Sequence, residues 1–388
     1  MRSPSLFFPR ALFGLMLALF LGAGAVLAQP GLLSSTPVGP GISHDAYLLP
    51  GPLTVHVLKV SLEEPNVRCE TYRPDRLTAT SVQAAANDRP GHRVLGAVNA
   101  DFFSFQTGWP VSNQMVNGTW VLGTRSARSH LAIDTAGRPH IVRIAFSGVA
   151  LTHGGRSVPI TGVNLTRRTD ALILYTEFRG ALTDTDSVRT AFTLHFLRTP
   201  LTGGDTLLAV ASHYDSTDSR PIRSGTAILA TSSARQSAVV REAVHDGDTL
   251  RIVLGTDPPL RGIAQVIGGC GRFLAGGRDV TDSTSSLEGI TTKFTAARHP
   301  RTFVGFDRDT TTLYICTVDG RQKTSIGMTF ADMASFLISI GATEGFNLDG
   351  GGSTAMVVRG TVVNSPSDIT GERPVANTLQ VISTAPGE

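Results

Sequence analysis

From Tyr47 onward the chain alternates short apolar or β-branched runs with clusters of Gly, Pro, Asn, Asp and Ser. Thr54–Val60, Val94–Val98, Leu131–Asp134, Ile141–Ala145, Ala171–Tyr175, Thr190–Phe196 and Thr249–Leu254 each read as a strand bounded by turn signals. Phe303–Phe306 and Thr311–Val318 flank Asp307-Arg308-Asp309-Thr310, which predicts a hairpin. The clearest helix begins at Thr329. Thr329 and Asp332 fit a capping box, and Phe330, Met333, Ala334, Phe336, Leu337 and Ile340 recur at helical spacing before Gly341 stops the run. Ala79–Ala86 is a second helix candidate, and no fixed-period repeat occurs. The pattern predicts an α+β fold: a strand-rich single domain with a few helices packed on a mixed or antiparallel sheet.

The N-terminus departs from this pattern. Arg2 and Arg10 precede an uncharged apolar run of 17 residues from Ala11 to Leu27, closed by Ala28 ahead of Gln29 and Pro30. These are the n-region, h-region and small-residue cleavage site of a signal peptide, with Val26 and Ala28 at the inspected positions. The run is long for an h-region and slightly short for a membrane span, so an uncleaved anchor is the rival reading. Residues 1–28 are expected to be the signal peptide, 29–45 a linker and 46–385 the folded domain. The protein is expected to be exported to the periplasm or beyond, with no membrane attachment after cleavage.

Composition narrows the classes further. Of 388 residues 41% are hydrophobic and 17% charged, so a sizeable core forms and global disorder is excluded. Lys+Arg number 34 against 31 Asp+Glu, and with Arg2 and Arg10 in the leader the remainder is nearly neutral. No basic field is left for nucleic-acid binding. Cys69, Cys270 and Cys316 are scattered without CxxC spacing, which excludes Cys₄ and Cys₂His₂ zinc sites. They are expected as small buried residues. An oxidising compartment could pair two of them and would leave one free.

Four segments carry candidate chemistry. Asn347-Leu348-Asp349-Gly350-Gly351-Gly352-Ser353-Thr354 follows the capped helix and a short strand. Three consecutive glycines suit positive φ or close approach to a ligand, and their amides could form an anion nest with Asp349 at its entrance and Ser353 at its exit. The alternative is a plain glycine turn. Gly351–Ala355 nearly spells a nucleophile elbow, but a strand-like Ala355–Val358 follows Ser353 where a helix is required. In Arg298-His299-Pro300-Arg301-Thr302 an extended chain places His299 and Arg301 on one face, suited to a phosphate or carboxylate, or else forms a solvated strand start. Asp101, in Asn99-Ala100-Asp101-Phe102-Phe103, is a carboxylate beside two aromatics whose pKa could be raised, or a turn residue ahead of core phenylalanines. Glu372 and Arg373, in Gly371–Asn377, are either site residues or a surface pair. Val318-Asp319-Gly320-Arg321 reads most simply as a turn, and no P-loop, HExxH or EF-hand spacing occurs.

Together and in this order the stretches 97–103, 162–176, 298–307, 318–358 and 363–381 resemble the phosphodiester glycosidase family. Two departures stand out: Asn99-Ala100-Asp101 replaces the family's Asn-Gly-Gly, and Gly268-Gly269-Cys270-Gly271 replaces its Gly-Gly-Pro segment. The resemblance implies a hydrolase acting on glycosyl-phosphate bonds, which releases a free sugar and a phosphomonoester from a sugar-1-phosphate diester or phosphoglycan. On that footing Arg301 and Arg373, with the Gly350, Gly351 and Gly352 amides and Ser353, hold the phosphate. Asp349 is the first choice for the carboxylate near C1, with Asp101 and Glu372 next. His299 donates to a phosphate oxygen, while Asn99 and Asn347 read sugar hydroxyls. The scheme requires no cofactor and leaves room for a Ca²⁺ held by carboxylates. Two other readings remain: a non-catalytic protein that binds carbohydrate or an envelope polymer, and a phosphodiesterase that cuts the P–O bond and normally needs a metal cluster.

Overall fold

The computed structural model describes residues 31–166, 170–180, 183, 189–197, 206–214 and 221–386. The expected signal peptide, 1–28, lies outside the described residues. Among the described residues no helix is long and apolar enough to cross a membrane.

The α+β expectation is corrected: with 48% of the described residues in strands and 14% in helix, the fold is mostly β. The longest α-helices, Ala234–Ala243 and Phe330–Ser339, have only 10 residues. A capping box makes one such helix conspicuous in sequence, whereas the strands, of two to thirteen residues, are locally quiet and gain their stability from distant partners.

Three sheets organise the described residues. The eight-stranded sheet runs Leu32–Gly39, Ile42–Leu49, Leu53–Ser61, Thr312–Val318, Arg301–Phe306, Glu344–Asn347, Arg272–Ala275, Arg278–Asp279, all antiparallel. The predicted hairpin is in it, with Arg301 opposite Val318. Its first two strands correct the linker expectation for 29–45. Most of Leu32–Gly39 faces solvent along a sheet edge, so its composition resembles a linker although Val38 and Ile42 are buried. The five-stranded antiparallel sheet is ordered Thr361–Val362, Met356–Val358, Arg93–Asn99, Thr378–Ser383, Val67–Tyr72. A twelve-stranded sheet takes most of 114–268, with one short parallel pair, Gly162–Val163 against Ile173–Tyr175.

Alternation along the strands gives the eight-stranded sheet two apolar faces. Val55, Val57, Phe303 and Cys316 pack with Phe330, Met333 and Leu337 of the capped helix. Leu58, Val60, Val304 and Ile315 pack against Val98, Met356, Leu379 and Val381 of the five-stranded sheet. The second helix candidate is present at Thr80–Asn87. The twelve-stranded sheet has a separate core around Trp120, Phe146, Leu174, Phe192 and Ile252.

Candidate active site

The three sheets meet where the Arg93–Asn99 strand ends. Asn99 is fully buried there, and its Nδ2 donates to the Asp349 carbonyl (2.6 Å). Its Oδ1 accepts from Thr302 Oγ1 (2.7 Å) and from the Ala355 amide (3.1 Å). The Asp349 amide in turn donates to the Ala100 carbonyl (2.7 Å). One asparagine thus stitches a strand end to the glycine loop and to the hairpin, which places Asp101 and Asp349 in the same pocket of polar groups.

Asp101 is 1% exposed. Its amide donates to Asn377 Oδ1 (2.9 Å), and its carboxylate accepts from the Ser112 amide (2.9 Å) and Ser112 Oγ (3.2 Å). Burial nevertheless outweighs these donors and, helped by the nearby Asp349 charge, pushes the pKa up to about 7. Gly268 is required here, because a Cβ on it would clash with the Ser112 side chain and stand 2.7 Å from Asp101 Oδ2. Asp349 Oδ1 accepts from the Gly350 amide (2.8 Å). Burial raises Asp349 to about 6, against the opposing pull of the Ser353 hydroxyl, the Gly350 amide and the Arg373 cation.

Cations lie on the other side of the glycine loop. Arg373 pairs with Asp368 (Nη2–Oδ2 2.6 Å), reaches Ser353 Oγ (3.5 Å), and its guanidinium fills the space beside Gly352. Gly351 has φ +63°, and the Arg321 Nη2 would lie 3.1 Å from a Cβ placed on it. His299 is half-buried within electrostatic reach of Arg321 and Arg301, and burial plus those charges lower its pKa.

Several sequence expectations are corrected here. Arg301 is 1% exposed and donates to the carbonyls of Met328 (3.1 Å), Phe294 (2.8 Å) and Ala297 (2.8 Å), with Phe294 and Phe330 against its guanidinium. Through Nε and Nη2 it pins the segment ahead of the hairpin. Glu372 accepts from the Ser81 amide (2.9 Å) and Ser81 Oγ (2.5 Å), closing the start of the Thr80–Asn87 helix. Asn99 and Asn347 are both fully buried; the Asn99 amide is spent on holding loops, while Asn347 Nδ2 donates to the Cys270 carbonyl (3.2 Å) and its Oδ1 has no partner among the described residues. The nest expectation fails for two amides: Gly350 bonds to Asp349 and Gly351 to the Pro300 carbonyl (2.8 Å).

Arg321, which the sequence reads as part of a turn, lies at this site, as do Ser112, Asp368 and Asn377, which the sequence does not mark as candidates. The hairpin held a signal for Arg321, because pairing Arg301 with Val318 carries Asp319-Gly320-Arg321 back past His299-Pro300. Ser112 gave none, since it follows Asp101 by a loop whose path the sequence leaves open. Cys69 and Cys316 are buried and Cys270 half-buried, all three unpaired, and burial raises Cys270 to about 11, keeping it a thiol. Among the described residues no three His, Cys, Asp or Glu side chains gather as a metal set.

Comparison with known proteins bears on this geometry. Residues 208–382 match the family model described as phosphodiester glycosidase. A prophage-derived uncharacterized protein of Bacillus subtilis is 45% identical over 84 residues, 22% of this chain and 13% of that one. N-acetylglucosamine-1-phosphodiester alpha-N-acetylglucosaminidase of Mus musculus is 38% identical over 90 residues, 23% of this chain and 16% of the enzyme. The chain therefore matches only about a sixth of the length of these relatives. The crystal structure of a hypothetical protein from Synechocystis superposes with a TM-score of 0.71 at 19% identity, covering 91% of this chain and 64% of that one, which shows a shared fold.

Proposed function

We infer, for a chain whose residues 208–382 belong to the phosphodiester glycosidase family, an exported hydrolase of sugar-1-phosphate diesters. It breaks the bond between the anomeric carbon and the phosphate oxygen, and releases a free sugar and a phosphomonoester. The observation that carries this reading is the pair Asp101 and Asp349, buried within electrostatic reach of each other beside the Arg373 cation. Two carboxyls whose burial raises their pKa values by different amounts are the equipment of acid–base work at a glycosidic carbon.

In the proposed reaction the pair titrates together, and near neutral pH one carboxyl is ionised while the other keeps a proton. Asp349, the more acidic, supplies the negative charge at C1, either as nucleophile or as base for the attacking water. Asp101 retains its own proton on a carboxyl already fixed by Ser112. A phosphate leaves as a stabilised anion and needs less protonation than an ordinary alkoxide. Arg373 and Arg321 neutralise its developing charge, with Ser353 and His299 as hydrogen-bonding neighbours. Nothing in these steps calls on a metal. Export rests on the Arg2/Arg10 leader and on Ala28 as the cleavage point, and N-terminal sequencing of the native protein is expected to begin at or near Gln29.

The test is a panel of sugar-1-phosphate diesters hydrolysed in ¹⁸O-water with excess EDTA. Turnover is expected with unlabelled phosphomonoester, because the sugar receives the oxygen. Label on the phosphate would overturn glycosidic cleavage, and the absence of turnover on every diester would leave a binding protein.

A further inference from the structure

The residues between Asp101 and Ser112 form a self-braced loop. The Val111 amide donates to the Phe102 carbonyl (2.9 Å), the Ser104 amide to the Trp109 carbonyl (2.9 Å) and the Gly108 amide to the Ser104 carbonyl (2.8 Å). Both ends are tied to one carboxylate, since Ser112 holds Asp101 by its amide and its hydroxyl. At the base, the Arg73 guanidinium stacks 3.7 Å from the Trp109 ring. At the tip stands Phe105, 73% exposed, with the Phe103 ring 4.9 Å away in a tilted contact. The Arg373 guanidinium lies 5.7 Å from the Phe105 ring. Next to Asp368, the ion-pair partner of Arg373, Ile369 is fully exposed.

Two large apolar side chains from separate loops thus stand in water, Phe105 beside the arginine that faces the glycine loop and Ile369 next in sequence to that arginine's ion-pair partner. Among the described residues Phe105 is the one aromatic of the exposed large hydrophobic side chains, and it stands beside the arginine of the site. An aromatic face suits the C–H-rich face of a pyranose, whose hydroxyls remain at its edge for water or polar groups. A guanidinium within reach of that ring suits a phosphate on the same sugar.

We propose that Phe105 is the stacking platform for the phosphate-bearing sugar ring, making it the specificity-determining residue that selects cyclic over open-chain phosphate esters. This rests on the proposed hydrolysis for its biological meaning, yet it is tested by binding. N-acetylglucosamine 1-phosphate, glycerol phosphate and inorganic phosphate are titrated by calorimetry into the wild type, Phe105→Ala and Phe105→Tyr. The expected result is a tenfold or greater loss of sugar-phosphate affinity in Phe105→Ala, near wild-type affinity in Phe105→Tyr, and unchanged affinity for the two ringless phosphates. Equal sugar-phosphate affinity in Phe105→Ala would overturn the platform. So would a parallel loss for inorganic phosphate, which would mean that Phe105 acts only by holding Arg373. Turnover of diesters with Phe105-independent binding sinks the platform alone, and Phe105-dependent binding without turnover sinks the hydrolase alone.

Discussion

The interior of the twelve-stranded sheet and the seam where the two smaller sheets meet both bury polar side chains, with opposite results. At the end of the Gly162–Val163 strand Asn164 is fully buried, with φ +54°. Its Oδ1 accepts from the Thr176 amide (2.8 Å), and its Nδ2 donates to the Val121 carbonyl and to Thr176 Oγ1 (both 2.8 Å). The side chains bonded there, Asn164 and Thr176, are neutral and satisfied, and the cluster fixes a turn that Arg179 Nη1 also caps by donating to the Asn164 carbonyl (3.3 Å). At the seam, Asn99 and Asn377 are neutral and satisfied too, but they position Asp101 and Asp349, whose charges burial opposes. Buried polarity alone therefore says little about function. Buried polarity that holds an ionisable pair in disfavoured states is what separates a reactive site from a scaffold.

Replacing one group on each side breaks or sustains that contrast most strongly. Asp349→Asn is expected to fold normally and lose about 10³-fold or more in kcat/KM, roughly 4 kcal/mol of transition-state stabilisation. Asn164→Ala is expected to do the reverse: turnover per folded molecule within twofold, and stability lower by about 1–3 kcal/mol as its partners lose their bonds. Thermal melts and steady-state rates on both proteins decide it. Near-normal turnover in Asp349→Asn removes that carboxylate from the mechanism.

A pair of arginines sharpens the same contrast. Arg373, with its guanidinium between Asp368 and the glycine loop, is expected to cost about 10–100-fold in kcat/KM on change to Lys, with little loss of stability. Arg301→Lys is expected to melt earlier, by about 2–3 kcal/mol, since an ammonium cannot serve three carbonyls in the fork geometry. If Arg301→Lys instead loses turnover at unchanged stability, the buried arginine belongs with the reactive groups.

How much of this was legible in the chain follows the range of the interactions. The hairpin at Arg301–Phe306 and the capped helix at Phe330–Ser339 are specified by neighbours in sequence, and both were readable. The loop of Asp349 was readable because three glycines cannot be accidental in a strand-rich chain, and Asp101 because it closes an apolar strand. Arg301 and Glu372 carry the same charges as the residues of the proposed site, and only their contacts with Phe294 and Ser81 reveal structural roles. The edge hairpin of 32–49 was hidden by its exposure, and Ser112 by the loop before it. Composition marks which residues can react, while register decides which of them meet.

Acid–base behaviour gives the next effect. The pair needs one proton between them, so kcat/KM is expected to peak between about pH 6 and 7, falling below as both carboxyls protonate and above as both ionise. Stability carries the matching sign. The folded value of Asp101, about 7, exceeds the unfolded carboxylate value, so the native state binds the extra proton and loses stability as pH rises from about 4 to 7. Asp101→Asn has no such proton to lose. Its unfolding free energy is expected to match the wild type near pH 4 and exceed it above pH 7, by about 2–4 kcal/mol, while turnover is lost. A variant that is less stable at pH 8 would show that the Ser112 bonds outweigh burial.

The smallest effect comes from a residue of the seam's apolar lining. Cys69 is 5% exposed on the Val67–Tyr72 strand, opposite Val381, in the cluster that packs the five-stranded sheet on the eight-stranded one. Burial pushes its thiol up to about 12, so no thiolate is present at neutral pH. Cys69→Ser keeps the volume and exchanges a weakly polar S–H for a hydroxyl that desolvation penalises, which is expected to lower stability by about 1–2 kcal/mol. Turnover per folded molecule is expected to stay within twofold, because the carboxylates are held by Asn99, Asn377 and Ser112, and none of these bonds passes through Cys69. Urea melts at matched pH measure the first quantity and saturating kinetics the second. A drop in turnover without a drop in stability would mean that apolar packing beneath the seam tunes the carboxyl pair directly, and the division between scaffold and reactive site would have to be drawn one layer deeper.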